Sequence, residues 1–285
     1  MSRLSRLSAV KILLGIVLIV LSIVGITLGV EGGSAAASSY PIVDHQLCYV
    51  ATASGFSIPP AGSVRLIDQF APNGFVPVIG PLKENCNPVV KTITTATGKQ
   101  TVTPITNPQA HLACFKITAP TQAAEEVSVK NQFGTGTLEV GQPQLLCLPT
   151  WKSLTGPPQE PTPQPPNLNH FTCYAVSYVP GTAPYVPPGA VSLQDEFATT
   201  PVTVTVGAPK YLCLPTEKII TTAAGGTVTY PIINPNKHLL CFKLTTQTPF
   251  PPTVFDLNQF GSSPVAIVKT KLLCLPSDKT VITKG

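Results

Sequence analysis

Histidine and cysteine are the residues whose types and spacing could do chemistry in this chain. All four histidines stand three residues before a cysteine: His45 before Cys48, His111 before Cys114, His170 before Cys173 and His238 before Cys241. H-x-x-C is a possible ligand pair for a soft metal if both side chains reach the same side. On a strand, however, residues three apart point to opposite faces. Each segment supplies one histidine and two cysteines, one ligand short of a closed tetrahedral zinc site. The pattern therefore reads as structural: a histidine at the start of a strand, its imidazole bonded to backbone. No metal and no cofactor is assigned.

The cysteines lead to the elements that hold them. Cys48, Cys86, Cys114 and Cys147 land on Cys173, Cys213, Cys241 and Cys274 when shifted by 125 to 127 residues. The text around them repeats as well, PITNPQAHLACFKI from Pro104 matching PIINPNKHLLCFKL from Pro231. A shorter period lies inside each half. Four units open on H-x-x-C and an aromatic residue (Tyr49, Phe115, Tyr174, Phe242). They continue through Asp68-Gln69-Phe70, Asn131-Gln132-Phe133, Asp195-Glu196-Phe197 and Asn258-Gln259-Phe260. Units two to four close on L-C-L-P, whereas unit one reads Asn85-Cys86-Asn87-Pro88. Asn replaces Asp in two of the four units. The repeat thus requires a side-chain oxygen that caps a turn, not an ionised carboxylate, and the phenylalanines read as core anchors.

Thr and Val are plentiful, and 32 prolines exclude long helices, since each costs about 3 kcal/mol in a helix interior. Alternating segments such as Pro201 to Val206 (PVTVTV) and Cys114 to Ile117 read as strands. The expected fold is all-β: two tandem compact β-barrel or sandwich domains, each a pair of related short-stranded repeats, after an N-terminal hydrophobic helix. The first domain is placed at 42–150, with repeats 42–92 and 107–150, and the second at 169–280, with repeats 169–218 and 234–280. Residues 151–168, including GPPQEPTPQPPN, read as a semi-rigid proline-rich linker.

Residues 1–37 read as a signal peptide or signal anchor: basic residues, then an uncharged run at 12–30, then small residues ending at Ala37. The run also reaches membrane-spanning length, so attachment to a membrane through 12–30 stays open. Either reading puts the remainder in a secreted form or on the outer side of the cytoplasmic membrane. In that setting eight cysteines argue for four disulfides. Pairing within each unit is expected, Cys48–Cys86, Cys114–Cys147, Cys173–Cys213 and Cys241–Cys274. Cross-unit pairing such as Cys86 with Cys114 stays open.

Charged residues make up only 11% of the chain, against roughly 25% in ordinary proteins. Of the +5 net charge, Arg3, Arg6 and Lys11 of the N-terminal segment supply three. No basic stripe for phosphate neutralisation remains in the sequence, so nucleic acid is excluded as a partner. Nucleophile-elbow, H-E-x-x-H, Walker and dinucleotide motifs are all absent from the sequence.

A pattern repeated four times specifies a fold, so function is expected where the repeats differ. The loop Ser177 to Ala190 carries Tyr178 and Tyr185, and its first-half counterpart carries Phe56. These three aromatics are the candidate contacts for an extracellular ligand, a glycan or a protein. The expected function is a non-catalytic exported or cell-surface module that binds, adheres or spaces, and not an enzyme. The alternatives are a secreted hydrolase whose site is assembled from scattered residues, or a purely structural envelope component.

The H-x-x-C-[YF], [DN]-Q-F and L-C-x-P motifs, in tandem from His45 to about Pro276, resemble a family of secreted prokaryotic proteins known only as a domain of unknown function. The resemblance implies no activity and carries over no functional residue.

Overall fold

Around each cysteine, residues alternate between two buried faces, and the chain answers with strands. In the computed structural model, which describes residues 43–282, all regular elements among the described residues are strands. Unit one holds β1 (Gln46–Thr52), β2 (Val64–Ile67), β3 (Val78–Pro88), β4 (Val90–Thr94) and β5 (Gln100–Thr103). Unit two holds β6 (His111–Thr118), β7 (Glu125–Asn131) and β8 (Gly134–Ser153). Unit three holds β9 (His170–Tyr178), β10 (Ala190–Gln194), β11 (Val202–Val204), β12 (Val206–Thr221) and β13 (Thr227–Tyr230). Unit four holds β14 (His238–Leu244), β15 (Thr253–Asn258) and β16 (Gly261–Val281). Among the described residues no helix is long and apolar enough to cross a membrane. The expected N-terminal helix, with its signal or anchor segment, lies outside the described residues.

Each unit gives its opening and closing strand to one antiparallel ring. β1 pairs with β3, β3 with β6, β6 with β8 and β8 with β9. β9 then pairs with β12, β12 with β14, β14 with β16, and β16 returns to β1. This corrects the expectation of one barrel or sandwich per half. A four-stranded half would leave two unpaired edges, and these edges meet at β8–β9 and β16–β1, so both halves close a single eight-stranded barrel. The expected linker is likewise not a spacer between separate bodies. Trp151, Lys152 and Ser153 continue β8 and pair with β15 of unit four, and Trp151 Nε1 donates to the Thr162 carbonyl at 2.8 Å.

Eight strands leave an interior just wide enough for side chains, and here cysteines fill it. The bonded pairs are Cys48–Cys86, Cys114–Cys147, Cys173–Cys213 and Cys241–Cys274, each between residues directly opposite on neighbouring strands. Neighbouring disulfides touch, with sulfurs 3.6 Å apart between Cys147 and Cys173 and 3.8 Å apart between Cys48 and Cys274. These are packing contacts, because an oxidised sulfur carries no proton. Free space inside is about 10 Å³, at the lower limit for a single water.

A second apolar layer wraps the barrel. In the closing L-C-L the leucines flanking cysteine point outward, and Leu146, Leu148, Leu212, Leu214, Leu273 and Leu275 are all buried there. The cover comes from arms that units exchange. β4 pairs with β10 and the end of β12 with β2, so units one and three hold each other. β8 pairs with β15 and the end of β16 with β7, so units two and four do the same.

Candidate functional site

Where arms meet barrel, the four units build four equivalent polar nodes. Each combines the histidine of one unit, a lysine five residues after that unit's closing cysteine, and the Gln/Glu-Phe pair of the next unit. Lys91 donates to Gln132 Oε1, and Lys218 to Gln259 Oε1, which also lies 3.0 Å from His170 Nε2. Lys279 donates to Gln69 Oε1 at 2.5 Å. The ammonium groups sit over the following rings, Lys91 over Phe133, Lys152 over Phe197, Lys218 over Phe260 and Lys279 over Phe70, where the ring face attracts a cation.

Burial governs titration at these nodes. It holds His45 down to about 3 and His238 to about 4, with the neighbouring lysine adding to the effect. His111 and His170 are pushed well below the usual histidine range by the same two causes. All four imidazoles are therefore neutral at pH 7. Burial also lowers Lys91 to about 8 and Lys218 to about 7.

The second node breaks the repeat. Its acceptor is Glu196 where the other three nodes have glutamine, and Glu196 Oε1 lies 3.7 Å from both Lys152 Nζ and His111 Nδ1. Around it sit the residues in which unit one departs from L-C-L-P. Asn87, in the place of Leu148, Leu214 and Leu275, donates to Asp195 Oδ2 at 2.8 Å and accepts from Lys152. Asn85, in the place of Leu146, Leu212 and Leu273, donates to Asp256 Oδ2 at 2.5 Å. Asp256 itself replaces a leucine or valine of the other units (Leu66, Val129, Leu193) and stands opposite Lys152 on the paired strand. Full burial raises its carboxyl to about 7, with Lys152 and Asn85 pulling the other way.

This node opens onto a cavity of about 520 Å³ lined by Pro88, Val90, Ile105, Pro108, His111, Lys152 and Glu196, among others. His111 Nδ1 borders it, buried and without a hydrogen-bond partner, and the Asp256 Oδ1 and Asn85 Oδ1 atoms behind the node are unpartnered too. Buried polar atoms are rarely left unpaired; such atoms occur at other nodes too, on His45 and His238, but His111 Nδ1 is the one that borders this cavity. The chemistry on offer is a mixed wall: apolar prolines and aliphatics on one side, a neutral imidazole, a carboxylate and a buried ammonium on the other.

A family model described as a repeat of unknown function (DUF7450) matches residues 111–276. The chain belongs to that family. The match begins at His111 and runs through units two, three and four of the DUF7450 chain. No curated protein and no solved structure matches it.

Within this DUF7450 fold, the aromatics expected to contact ligand pack against the core, Tyr185 buried and Phe56 and Tyr178 half-buried. Tyr185 is buried, its hydroxyl donating to the Val129 carbonyl at 2.6 Å, and its backbone N–H is bonded to the Tyr178 hydroxyl at 3.0 Å. Phe56 packs edge-on against Phe115, with centroids 5.2 Å apart. These rings have apolar core to cover, and their area is spent there. The eight cysteines meet in the barrel interior. Cys48 and Cys86 gather with Glu84 within metal-binding reach, but both sulfurs are locked in one disulfide and offer no thiolate. The turn-capping role holds in all four units: Asp68, Asn131, Asp195 and Asn258 each accept from the backbone N–H of the phenylalanine two residues on, at 2.8 to 3.1 Å.

Sequence reasoning missed the node lysines, although Lys91, Lys152, Lys218 and Lys279 stand at a constant spacing from Cys86, Cys147, Cys213 and Cys274. The departure of unit one at Asn85 and Asn87 is visible in the sequence, but nothing there connects it with Glu196 or Asp256.

Proposed function

We propose that this DUF7450 chain is an exported, non-catalytic binding module whose ligand seat is the cavity at the second node. The observation that carries this reading is that the open cavity coincides with the node where Glu196, Asn85, Asn87 and Asp256 break a fourfold pattern. A cavity of about 520 Å³ falls in the range of small-molecule sites. Its neutral His111, the carboxylate of Glu196 and the apolar Pro88, Val90 and Pro108 suit a ligand with hydroxyl groups on one side and C–H surface on the other. A saccharide unit of an extracellular glycan has that character. Four disulfides support a setting outside the cytoplasm, where such bonds persist.

Rigidity and the disposition of groups favour binding over turnover. Asp195 has both oxygens engaged, by Phe197 N–H on one side and by Tyr49 and Asn87 on the other, and the cavity lining contains no serine, threonine or cysteine. A glycan array probed with the full-length protein tests the proposal. Binding to a defined saccharide is expected for the native chain and lost on Glu196→Gln. A native protein that binds no saccharide would end this reading.

A hydrolase reading draws on one observation, the Glu196–His111 approach within a concave site. It requires saccharide turnover by the native protein that Glu196→Gln abolishes, and binding without turnover would dismiss it.

A further inference from the structure

We propose that the barrel mouth on the side away from the histidines binds a compact polyvalent oxyanion, such as a short chain of linked phosphates, through a ring of lysines. The ring's residues recur at a fixed place in each unit, and bulges turn them to one mouth. In each closing strand the pairing register breaks three residues before the cysteine, next to Lys83, Gln144, Lys210 and Lys271. A bulge re-aims the side chain it carries, and four bulges at one level place these residues around the mouth. Lys116 and Lys243 join them, each two residues after the opening cysteine of its unit.

Lys83, Lys116, Gln144 and Lys271 line a depression of about 230 Å³ floored by Leu145 and Tyr211. Lys271 also borders a second depression, of about 300 Å³, with Lys210, Lys243 and Lys269. Against these six lysines stands Glu84, which is buried and bonded to Lys271 Nζ at 2.5 Å. Lys210 is held down to about 8, first by burial and then by the charge of Lys271 beside it. Like charges gathered at a low-dielectric rim create a field that concentrates anions.

The ligand's size follows from the floor. The space beneath it is closed by the disulfides, with about 10 Å³ free, so the anion rests on the rim. Lysines are strongly hydrated point charges on flexible stems, suited to several phosphate or sulfate groups in varied orientations. This site lies beyond the cysteines from the His111 cavity, since in β6 His111 precedes Cys114 and Lys116 follows it.

The test is calorimetric titration of full-length protein in detergent micelles with tripolyphosphate. Saturable binding that weakens with added salt is expected. The variant Lys83→Gln/Lys116→Gln/Lys243→Gln removes exposed side chains only and should weaken binding on the order of tenfold or more. Lys99→Gln/Lys130→Gln, altered elsewhere on the surface, should leave it unchanged. No binding of tripolyphosphate, or an equal loss in the second variant, would overturn the proposal. Vesicles of phosphatidylcholine with and without phosphatidylglycerol separate a soluble anion from a lipid headgroup. Phosphatidylglycerol-dependent binding that tripolyphosphate fails to displace would count against a soluble ligand.

Discussion

The Tyr49 hydroxyl donates to Asp195 Oδ2 at 2.8 Å, and the Tyr174 hydroxyl donates to Asp68 Oδ2 at 2.8 Å. The two bonds are reciprocal: units one and three each give a tyrosine to the other's aspartate, following the exchange of arms. Units two and four carry phenylalanine and asparagine at the same places and meet through rings, Phe115 with Phe260 and Phe133 with Phe242. Tyrosine therefore travels with aspartate and phenylalanine with asparagine, because each pair is one contact across the barrel.

That coupling has a measurable size. Tyr49→Phe alone strips a buried carboxylate of a donor and should cost about 1–3 kcal/mol of unfolding free energy. Tyr49→Phe/Asp195→Asn recreates the combination of the other two units. It should cost less than the sum of the single changes, with an interaction energy of about 0.5–3 kcal/mol in a denaturant double-mutant cycle. Strict additivity would contradict the pairing.

Asn85 and Asp256 offer a second test. Asn85→Leu restores the residue found in the other units but leaves Asp256 buried without its donor, and a loss of roughly 3–5 kcal/mol is expected. Asn85→Leu/Asp256→Leu removes both polar partners and should recover most of that loss, since apolar pairs replace buried polar ones at little cost. Chemical denaturation of both variants gives the comparison.

Acid should destabilise the protein through its histidines. His45 and His238 hold their protons only near 3 and 4 in the folded chain, against about 6.5 when unfolded. Between those values the unfolded state binds more protons, so stability falls as pH drops through 6.5 toward 4. Asp256 acts in the opposite sense. Its folded value near 7 makes the folded state the better proton binder between about 4 and 7, which offsets part of the slope. Asp256→Asn should therefore steepen the acid loss, and His238→Gln should flatten it, in denaturation midpoints measured across that range.

Removing a disulfide should be costly. Cys114→Ala/Cys147→Ala opens a link spanning 33 residues and empties part of the barrel interior. A loss of about 2–5 kcal/mol is expected in the unfolding free energy.

Much of this architecture was legible in the residues. The apolar runs around Cys147 and Cys274 fit strands buried on both faces, and the fourfold cysteine pattern favoured pairing within each unit while leaving cross-unit pairing open. The Asp/Asn exchange at positions 68, 131, 195 and 258 required a capping oxygen. Closure into a single barrel was not legible, because whether a four-stranded half pairs its edges with itself or with its twin depends on strand tilt and not on any residue type. The His111 node was hidden for a similar reason. Glu196, Asn87, Lys152 and Asp256 come from all four units and meet only after the arms cross. The rim lysines do keep a fixed spacing from the cysteines, as with Lys83 before Cys86 and Lys116 after Cys114, but alternation does not show that bulges turn them toward one mouth.

Ligand recognition at the second node can be read directly, because the four histidines offer one resonance per node. Imidazole nitrogen and proton shifts of the full-length protein, recorded while an array-selected saccharide is added, test it most directly. A saturable shift at His111 is expected, with His45, His170 and His238 unmoved. Shifts spread equally over the four histidines, or confined to any of the other three, would contradict it.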